Sequence, residues 1–132
     1  MNIFDFEKGS GRPRIKFFKD AAPYILSGNK TLEVRPRSRA WVEKIAKAEL
    51  VDLTYGPRFS SPRVFATAKI VKVEVRSFDT TTKEDLRQLG RNWSEKTPKE
   101  FAEIHKKWFA KDLAKSYPVA WIFFRLVESS RL

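Results

Sequence analysis

The sequence predicts an α+β fold, a small mixed β-barrel flanked by short helices, on the strength of three observations. Extended segments alternate with helical ones along the chain. The run "RVFATAKIVKVEVRSF", residues 63–78, changes the parity of its apolar positions midway, which indicates a bulge or sharp bend that lets a sheet curl. The last run, "PVAWIFFRLVE" at residues 118–128, is apolar at odd and even positions alike. We therefore expect it to be an interior strand covered on both faces.

The N-terminal half of the chain supplies three strands and two helical segments. Residues 1–13 are expected to form a flexible basic arm, because "KGSGRPR" combines Gly, Ser and Pro with positive charge, which leaves residues 14–132 as a single domain. The elements predicted from alternation, β-branched content and helical spacing are a strand at Arg14–Phe18, a helix or turn at Lys19–Gly28, a strand at Thr31–Pro36, a helix at Arg39–Ala48 and a strand at Leu50–Tyr55. The segment "YGPRFSSPR" that follows is expected to be a loop.

Two helix-start signals follow the long extended run. Thr81 and Glu84 have the spacing of a capping box, and the helix they would start is expected to end near residue 90. Thr97, Pro98 and Glu100 give a cap, a proline at the first helical position and a glutamate at the third. Apolar residues at helical spacing extend this second helix to about residue 115.

The composition favours a nucleic-acid partner. The chain has 27 Lys and Arg against 16 Asp and Glu, a formal charge of +11 and a pI near 10.1. A pI above about 9 for a whole domain is the electrostatic signature of a nucleic-acid binder. The absence of cysteine excludes disulfides, thiolate nucleophiles and the common structural zinc sites, and a single histidine excludes a histidine-rich metal site. We expect no metal and no cofactor. No apolar run is long enough for a membrane span and no signal peptide is recognisable, so a cytoplasmic protein without membrane contact is expected.

A short strand carries the most informative polar residues. Lys30, Glu33 and Arg35 lie within the stretch "GNKTLEVR". Two interpretations remain open: a solvated, charged edge strand, or a pocket for an anionic ligand. As a nucleophile or base Lys30 would need a lowered pKa, whereas as a binder it offers an ammonium to a phosphate. Glu33 could accept hydrogen bonds from a base edge, act as a general base, or form a salt bridge to Arg35.

Further arginines and aromatic residues extend the candidate binding site. Arg37 and Arg39 continue the alternation begun at Arg35, as a row of guanidinium groups along a phosphate backbone would require. The loop adds a mixture of aromatic and basic side chains, which suits recognition of single strands by stacking; these residues are Tyr55, Arg58, Phe59 and Arg63. Phe59 could equally cap the end of the barrel. The roles of His105 and Trp93 stay open between packing and function.

The pattern Gly28-x-Lys30-x-x-Glu33-x-Arg35, preceded by "YILS" and a short strand, resembles the opening signature of the ASCH domain family in the PUA-like superfamily. The order of elements also resembles that of an ASCH domain over roughly residues 14–128. The resemblance implies a PUA-like pseudo-barrel with a polar cleft along the signature strand. It also implies an RNA-binding or RNA-processing module. Together with the aromatic and basic loop, which suits single strands, it makes RNA, expected to be single-stranded, or a nucleotide-like ligand the expected partner.

The same resemblance implies an enzymatic alternative. Some small bacterial ASCH proteins are amidohydrolases that act on acetylated cytidine with a lysine, a threonine three residues later and a distant glutamate. Lys30 matches that lysine, but Glu33 occupies the position of the threonine. Ribonuclease activity has also been attributed to some members. A hydrolase acting on a modified nucleoside or on RNA, with Lys30 and Glu33 as its active pair, is therefore the second function that the sequence allows.

Overall fold

The computed structural model describes residues 11–56 and 63–129. Its strands are β1 (Arg14–Phe17), β2 (Leu32–Pro36), β3 (Leu50–Tyr55), β4 (Arg63–Val75) and β5 (Val119–Ser129). The helices are α1 (Ala22–Leu26), α2 (Arg39–Lys47), α3 (Lys83–Leu89), α4 (Pro98–Trp108) and α5 (Ala110–Ala114). Short 3₁₀ turns lie at Lys19–Ala21, Phe78–Thr80 and Trp93–Glu95.

The strands form one mixed sheet in the order β1-β3-β4-β5-β2, in which β1 and β3 are parallel and the other pairs antiparallel. The sheet curls into a half-barrel flanked by short helices, which confirms the predicted α+β, PUA-like fold class. The change in parity of the apolar positions of residues 63–78 corresponds to two register shifts of β4 against β5, at Thr67/Ala68 and at Ile70/Lys72. A further shift lies at Leu53/Thr54 of β3. These irregularities provide the local bending that curls the sheet.

Strand β5 separates two apolar clusters, because alternate side chains point to opposite faces of a sheet. Ala120, Ile122 and Phe124 pack in one cluster with α1 and α2, whereas Trp121 and Phe123 pack in the other with α3 and α4. The first half of β5 is therefore buried on both faces, as predicted. Its second half, from residue 125 onward, is exposed except for the half-buried Leu126, so the prediction of coverage on both faces was wrong for that part.

Both helix-start signals correspond to capping boxes, but one of them lies one residue later than predicted. Thr97 and Glu100 cap α4 reciprocally, as expected. The cap of α3 is formed by Thr82 and Asp85, because the hydroxyl of Thr81 donates instead to the main-chain carbonyl of residue 78. The predicted helix to residue 115 is interrupted at residue 109, where the backbone leaves the helical conformation before α5.

The segment predicted as an arm is tied to the sheet at its C-terminal end. The Arg12 guanidinium donates to the Asp52 carboxylate at 3.0 Å, and the Asp52 main-chain N–H donates to the Pro13 carbonyl at 2.9 Å. Residues 1–10 of that predicted arm lie outside the described residues. Among the helices that the structure describes, none combines the length and the apolar composition needed to span a bilayer.

Candidate functional site

A large cleft lies beside β1 and β2, the two edge strands of the half-barrel, and residues 91–96 and α4 complete its lining. Its volume is about 1340 Å³. Among the described residues that line it, eight are Lys or Arg and one is acidic, namely Lys16, Lys19, Lys30, Arg35, Arg37, Arg63, Arg91 and Lys96 against Glu33. The cleft is therefore a concave, strongly basic surface.

Lys30 enters the cleft from the turn after α1. Gly28 adopts a φ of +81°, a left-handed conformation that glycine adopts without steric strain. After this turn, the Lys30 main-chain N–H donates to the Tyr24 carbonyl of α1. The side chain is buried, 6% exposed. Its ammonium donates to the carbonyls of Leu32 at 2.8 Å and Leu89 at 3.4 Å, and it lies 3.3 Å from Oε1 of Glu33. The three N–H groups of Lys30 thus each have a partner, and the side chain ties β2 to α3.

Glu33 links two cations. Its Oε1 faces Lys30 and also accepts the Val34 main-chain N–H at 3.2 Å, while Oε2 pairs with the guanidinium of Arg35. The side chain is only 18% exposed. Burial alone would raise the pKa of Glu33, but the charges of Lys30 and Arg35 outweigh it and lower that pKa to about 2. Glu33 is therefore an anion at any physiological pH.

Burial lowers the pKa of Lys30 from its ordinary value, and the adjacent carboxylate of Glu33 offsets part of that effect. A lowered lysine pKa is compatible with nucleophilic chemistry. The partner carboxylate, however, has a pKa far below the value near 7 that suits a general base. The pair is consequently better suited to holding charge in place than to moving a proton.

Arg35 connects the two edges of the sheet. From β2 its guanidinium donates to the main-chain carbonyl of Lys16 on β1 at 3.0 Å, pairs with Glu33, and lies 5.3 Å from the ring centroid of Phe17. Because β1 and β2 are the outer strands of the half-barrel, this side chain bridges the gap where a closed barrel would continue its hydrogen-bond ladder.

The other predicted site residues divide into three groups. Arg37, Tyr55 and Arg63 line the same cleft as Lys30, Glu33 and Arg35. Arg39 is exposed at the start of α2 and is not among the residues that line the cleft. Arg58 and Phe59 lie outside the described residues. The function of this set stays a prediction.

Several cleft residues were not singled out from the sequence, because they come from distant segments. Phe18, 83% exposed, lies on the rim beside Lys16 and Lys19. Arg91 pairs with Asp20, and its main-chain N–H donates to the Asn29 side chain at 2.9 Å. The interleaving of basic and aromatic residues in "GRNWSEK" was the sequence signal that could have identified this side of the cleft.

An aromatic group from α4 and the preceding 3₁₀ turn also lines the cleft. The ring centroid of His105 lies 4.9 Å from that of Trp93 and 5.0 Å from that of Trp108, and its ring stacks on Phe101 at 3.8 Å. Trp108 is 65% exposed. Within residues 11–56 and 63–129, no group of three or more His, Asp or Glu side chains is placed to hold a metal ion.

Comparison with solved structures identifies the fold. The ASCH domain from Lactobacillus crispatus JV V101 superposes with a TM-score of 0.59 at 12% identity, over 95% of this chain and 91% of that one. This chain has an ASCH-like fold.

Two further structures are similar to this ASCH-like chain. Protein EF3133 from Enterococcus faecalis V583, a DUF984 protein, matches with a TM-score of 0.61 at 19% identity, over 83% of this chain and 68% of that one. Hypothetical protein PH0355 matches with a TM-score of 0.60 at 15% identity, over 86% of this chain and 97% of that one. No protein-family model and no curated protein matches the sequence.

Proposed function

We propose that this ASCH-like protein is a nucleic-acid-binding module that holds single-stranded RNA in the basic cleft. The observation that carries the proposal is the charge of the cleft lining, eight cationic side chains against one carboxylate among the described residues. A phosphodiester backbone supplies the complementary negative charge at regular spacing. The ASCH-like fold supports the same function, because the resemblance to that family implies RNA binding.

The size of the cleft favours an extended strand over one small molecule. Pockets for drug-sized ligands occupy about 300–1,000 Å³, whereas this cleft measures about 1340 Å³. Aromatic side chains lie among the cations of the lining, and two of them, Phe18 and Trp108, are largely exposed. Single strands use such rings as stacking surfaces for unpaired bases, while duplexes keep their bases stacked inside.

Binding is favoured over hydrolysis by the protonation of the polar cluster. A carboxylate with a pKa of about 2, like that of Glu33, accepts a proton poorly at neutral pH. The N–H groups of Lys30 are engaged by two carbonyls and by Glu33. Incubation of the wild-type protein with RNA and with an N-acylated nucleoside should therefore leave both intact. Turnover of either one would favour the enzyme instead.

A salt titration with a fluorescent single-stranded RNA tests the proposed binding. For single strands, log K falls against log salt concentration with a slope of about −0.7 for each phosphate neutralised. Lys16→Ala and Lys96→Ala each remove one exposed cation of the cleft. Each variant should bind more weakly at low salt and should reduce the slope by about 0.7, with the two changes additive.

The matched control is Lys44→Ala, which removes an exposed lysine of α2 that does not line the cleft. It should leave both the affinity and the slope unchanged. If wild-type binding ignores salt, or if Lys44→Ala reduces the slope as much as the cleft variants do, the cleft is not the binding site.

A further inference from the structure

His105 presents an unusual combination of burial and hydrogen bonding on the wall of the cleft. The residue is 7% exposed, and its Nδ1 lies 2.9 Å from the main-chain carbonyl of Phe101. A carbonyl can only accept, so Nδ1 carries the proton and donates it. Burial lowers the pKa of His105 from its ordinary value of 6.5, partly offset by the Phe101 carbonyl. The imidazole is therefore neutral at physiological pH, and Nε2 is a hydrogen-bond acceptor.

The Nε2 atom has no hydrogen-bond partner within the described part of the chain. In the same residues no fully buried side-chain nitrogen or oxygen lacks a partner. Nε2 must therefore reach solvent, and it does so in the cleft, because His105 is one of the residues that line it. A side chain more than nine-tenths buried thus presents a single neutral acceptor to whatever occupies the cleft.

Two tryptophans pack against the His105 ring. The Trp93 and Trp108 rings lie 6.0 Å apart at 71° to each other, and each lies within 5.0 Å of the His105 ring by centroid distance. Trp93 is half-buried and packs edge-on against Phe101, which leaves Trp108, 65% exposed, as the indole with a free surface. A large apolar ring beside a buried polar acceptor is an arrangement that suits a flat ligand with a polar edge.

We propose that Trp108 and His105 form a subsite for one nucleobase, in which the base stacks on the indole and donates an edge N–H to Nε2. This inference rests on the proposed function and adds that phosphates and a base contact different parts of the cleft. Phosphates contact the exposed lysines and arginines, and one base is read on the α4 side. Every unmodified RNA base carries an N–H donor on its pairing edge, so the subsite recognises the presence of a base rather than its identity.

The chemistry of the subsite distinguishes a base from a phosphate. A phosphodiester oxygen carries lone pairs and no hydrogen, so it cannot donate to Nε2, and a neutral imidazole offers it no charge. An aromatic base supplies both the face that stacks and the N–H that donates. The subsite should therefore contribute affinity without contributing to the salt dependence, which separates it from the lysine contacts.

The test compares a single-stranded RNA with an oligomer of the same length and backbone whose nucleotides are abasic. Trp108→Ala removes the stacking surface and should weaken RNA binding by about 5- to 150-fold, the range measured for one stacked base. His105→Phe keeps a ring to pack on Phe101 and removes the acceptor, so it should weaken RNA binding by about 2- to 10-fold. Neither variant should change the salt slope, and both should bind the abasic oligomer as the wild type does.

Controls and outcomes are distinct for the two proposals. Tyr117→Ala removes an aromatic ring that does not line the cleft and should leave both ligands unaffected. Because Trp108 is exposed, its variant tests the subsite even if His105→Phe fails to fold. If the wild type binds both oligomers equally, with the usual salt slope, the base subsite is wrong and the proposed function stands. If Trp108→Ala and His105→Phe weaken the binding of RNA and of the abasic oligomer equally, the base subsite is also wrong. A wild type that binds neither oligomer overturns both proposals.

Discussion

Replacement of Glu33 by glutamine should destabilise the protein in a pH-dependent manner. Glu33 holds the buried ammonium of Lys30 and the guanidinium of Arg35, and its pKa falls from 4.5 to about 2 in the folded protein. Each pKa unit corresponds to about 1.36 kcal/mol, so the ionised carboxylate contributes about 3 kcal/mol to the free energy of unfolding at neutral pH. This is a large part of the 5–15 kcal/mol that is typical of a whole domain.

The sign of the pH dependence follows from the direction of the shift. Because the folded-state pKa of Glu33 lies below its unfolded value of 4.5, the contribution is fully present above that value. The stabilising contribution is lost as the pH falls from 4.5 towards the folded-state pKa of about 2. Urea unfolding of wild type and Glu33→Gln at pH 7, 5 and 3, at constant ionic strength, should give a difference of about 3 kcal/mol at pH 7 that shrinks to less than half at pH 3.

Glu84→Gln is the matched control, because Glu84 also pairs with an arginine but is exposed on α3. Exposed ion pairs contribute little to stability, so this variant should resemble the wild type at every pH. The reasoning is refuted if Glu33→Gln is as stable as wild type at pH 7, or if its loss of stability is the same at pH 3 as at pH 7.

Four further substitutions test the scaffold of the site by chemical or thermal unfolding. Arg35→Lys removes the planar guanidinium that contacts both the Glu33 carboxylate and the Lys16 carbonyl on β1, so it should lower the free energy of unfolding by about 1.5–3 kcal/mol. Unchanged stability would contradict the bridging role. Gly28→Ala places a Cβ in open space at φ +81° and should cost about 1–2 kcal/mol. Gly90→Ala should cost more, because its Cβ would lie 2.7 Å from the main-chain oxygen of Asn29; an equal cost would show that this contact relaxes freely. Thr97→Ala should cost about 1 kcal/mol by loss of the α4 cap, and no loss of melting temperature would contradict it.

Local signals in the sequence located most of the fold. The predicted limits of β3 agree with the structure. The start of α4 follows from a cap with proline, a signal that depends only on neighbouring residues. The cap of α3 was misplaced because the run "TTTKED" contains two overlapping candidates, Thr81 with Glu84 and Thr82 with Asp85. The choice between them is made by a hydrogen bond from Thr81 to a preceding carbonyl, which the spacing of residues does not reveal.

The part of the candidate site that lies within one short segment was predictable from the sequence. The part that is formed by distant segments was not. Lys30, Glu33 and Arg35 lie within six positions of each other, and one short strand and the turn before it bring them together. The burial of Lys30 depends on a carbonyl of α3 that lies 59 residues away. His105 and the indole beside it lie on α4, which packs in the same apolar cluster as β2 although more than 60 residues separate the two elements. Tertiary packing of this kind is not encoded in any short pattern.

The two sets of charges in the cleft should have separable effects. Lys30, Glu33 and Arg35 together carry one net positive charge, are mostly buried, and hold β2, β1 and α3 in place. Ions in solution screen exposed charges over a distance of about 10 Å at 0.1 M salt but reach buried pairs much less. The salt-sensitive attraction that we propose for a phosphate backbone must therefore come from exposed side chains such as Lys16 and Lys96. Substitutions in the buried set should lower stability, whereas substitutions in the exposed set should lower affinity and leave the free energy of unfolding nearly unchanged.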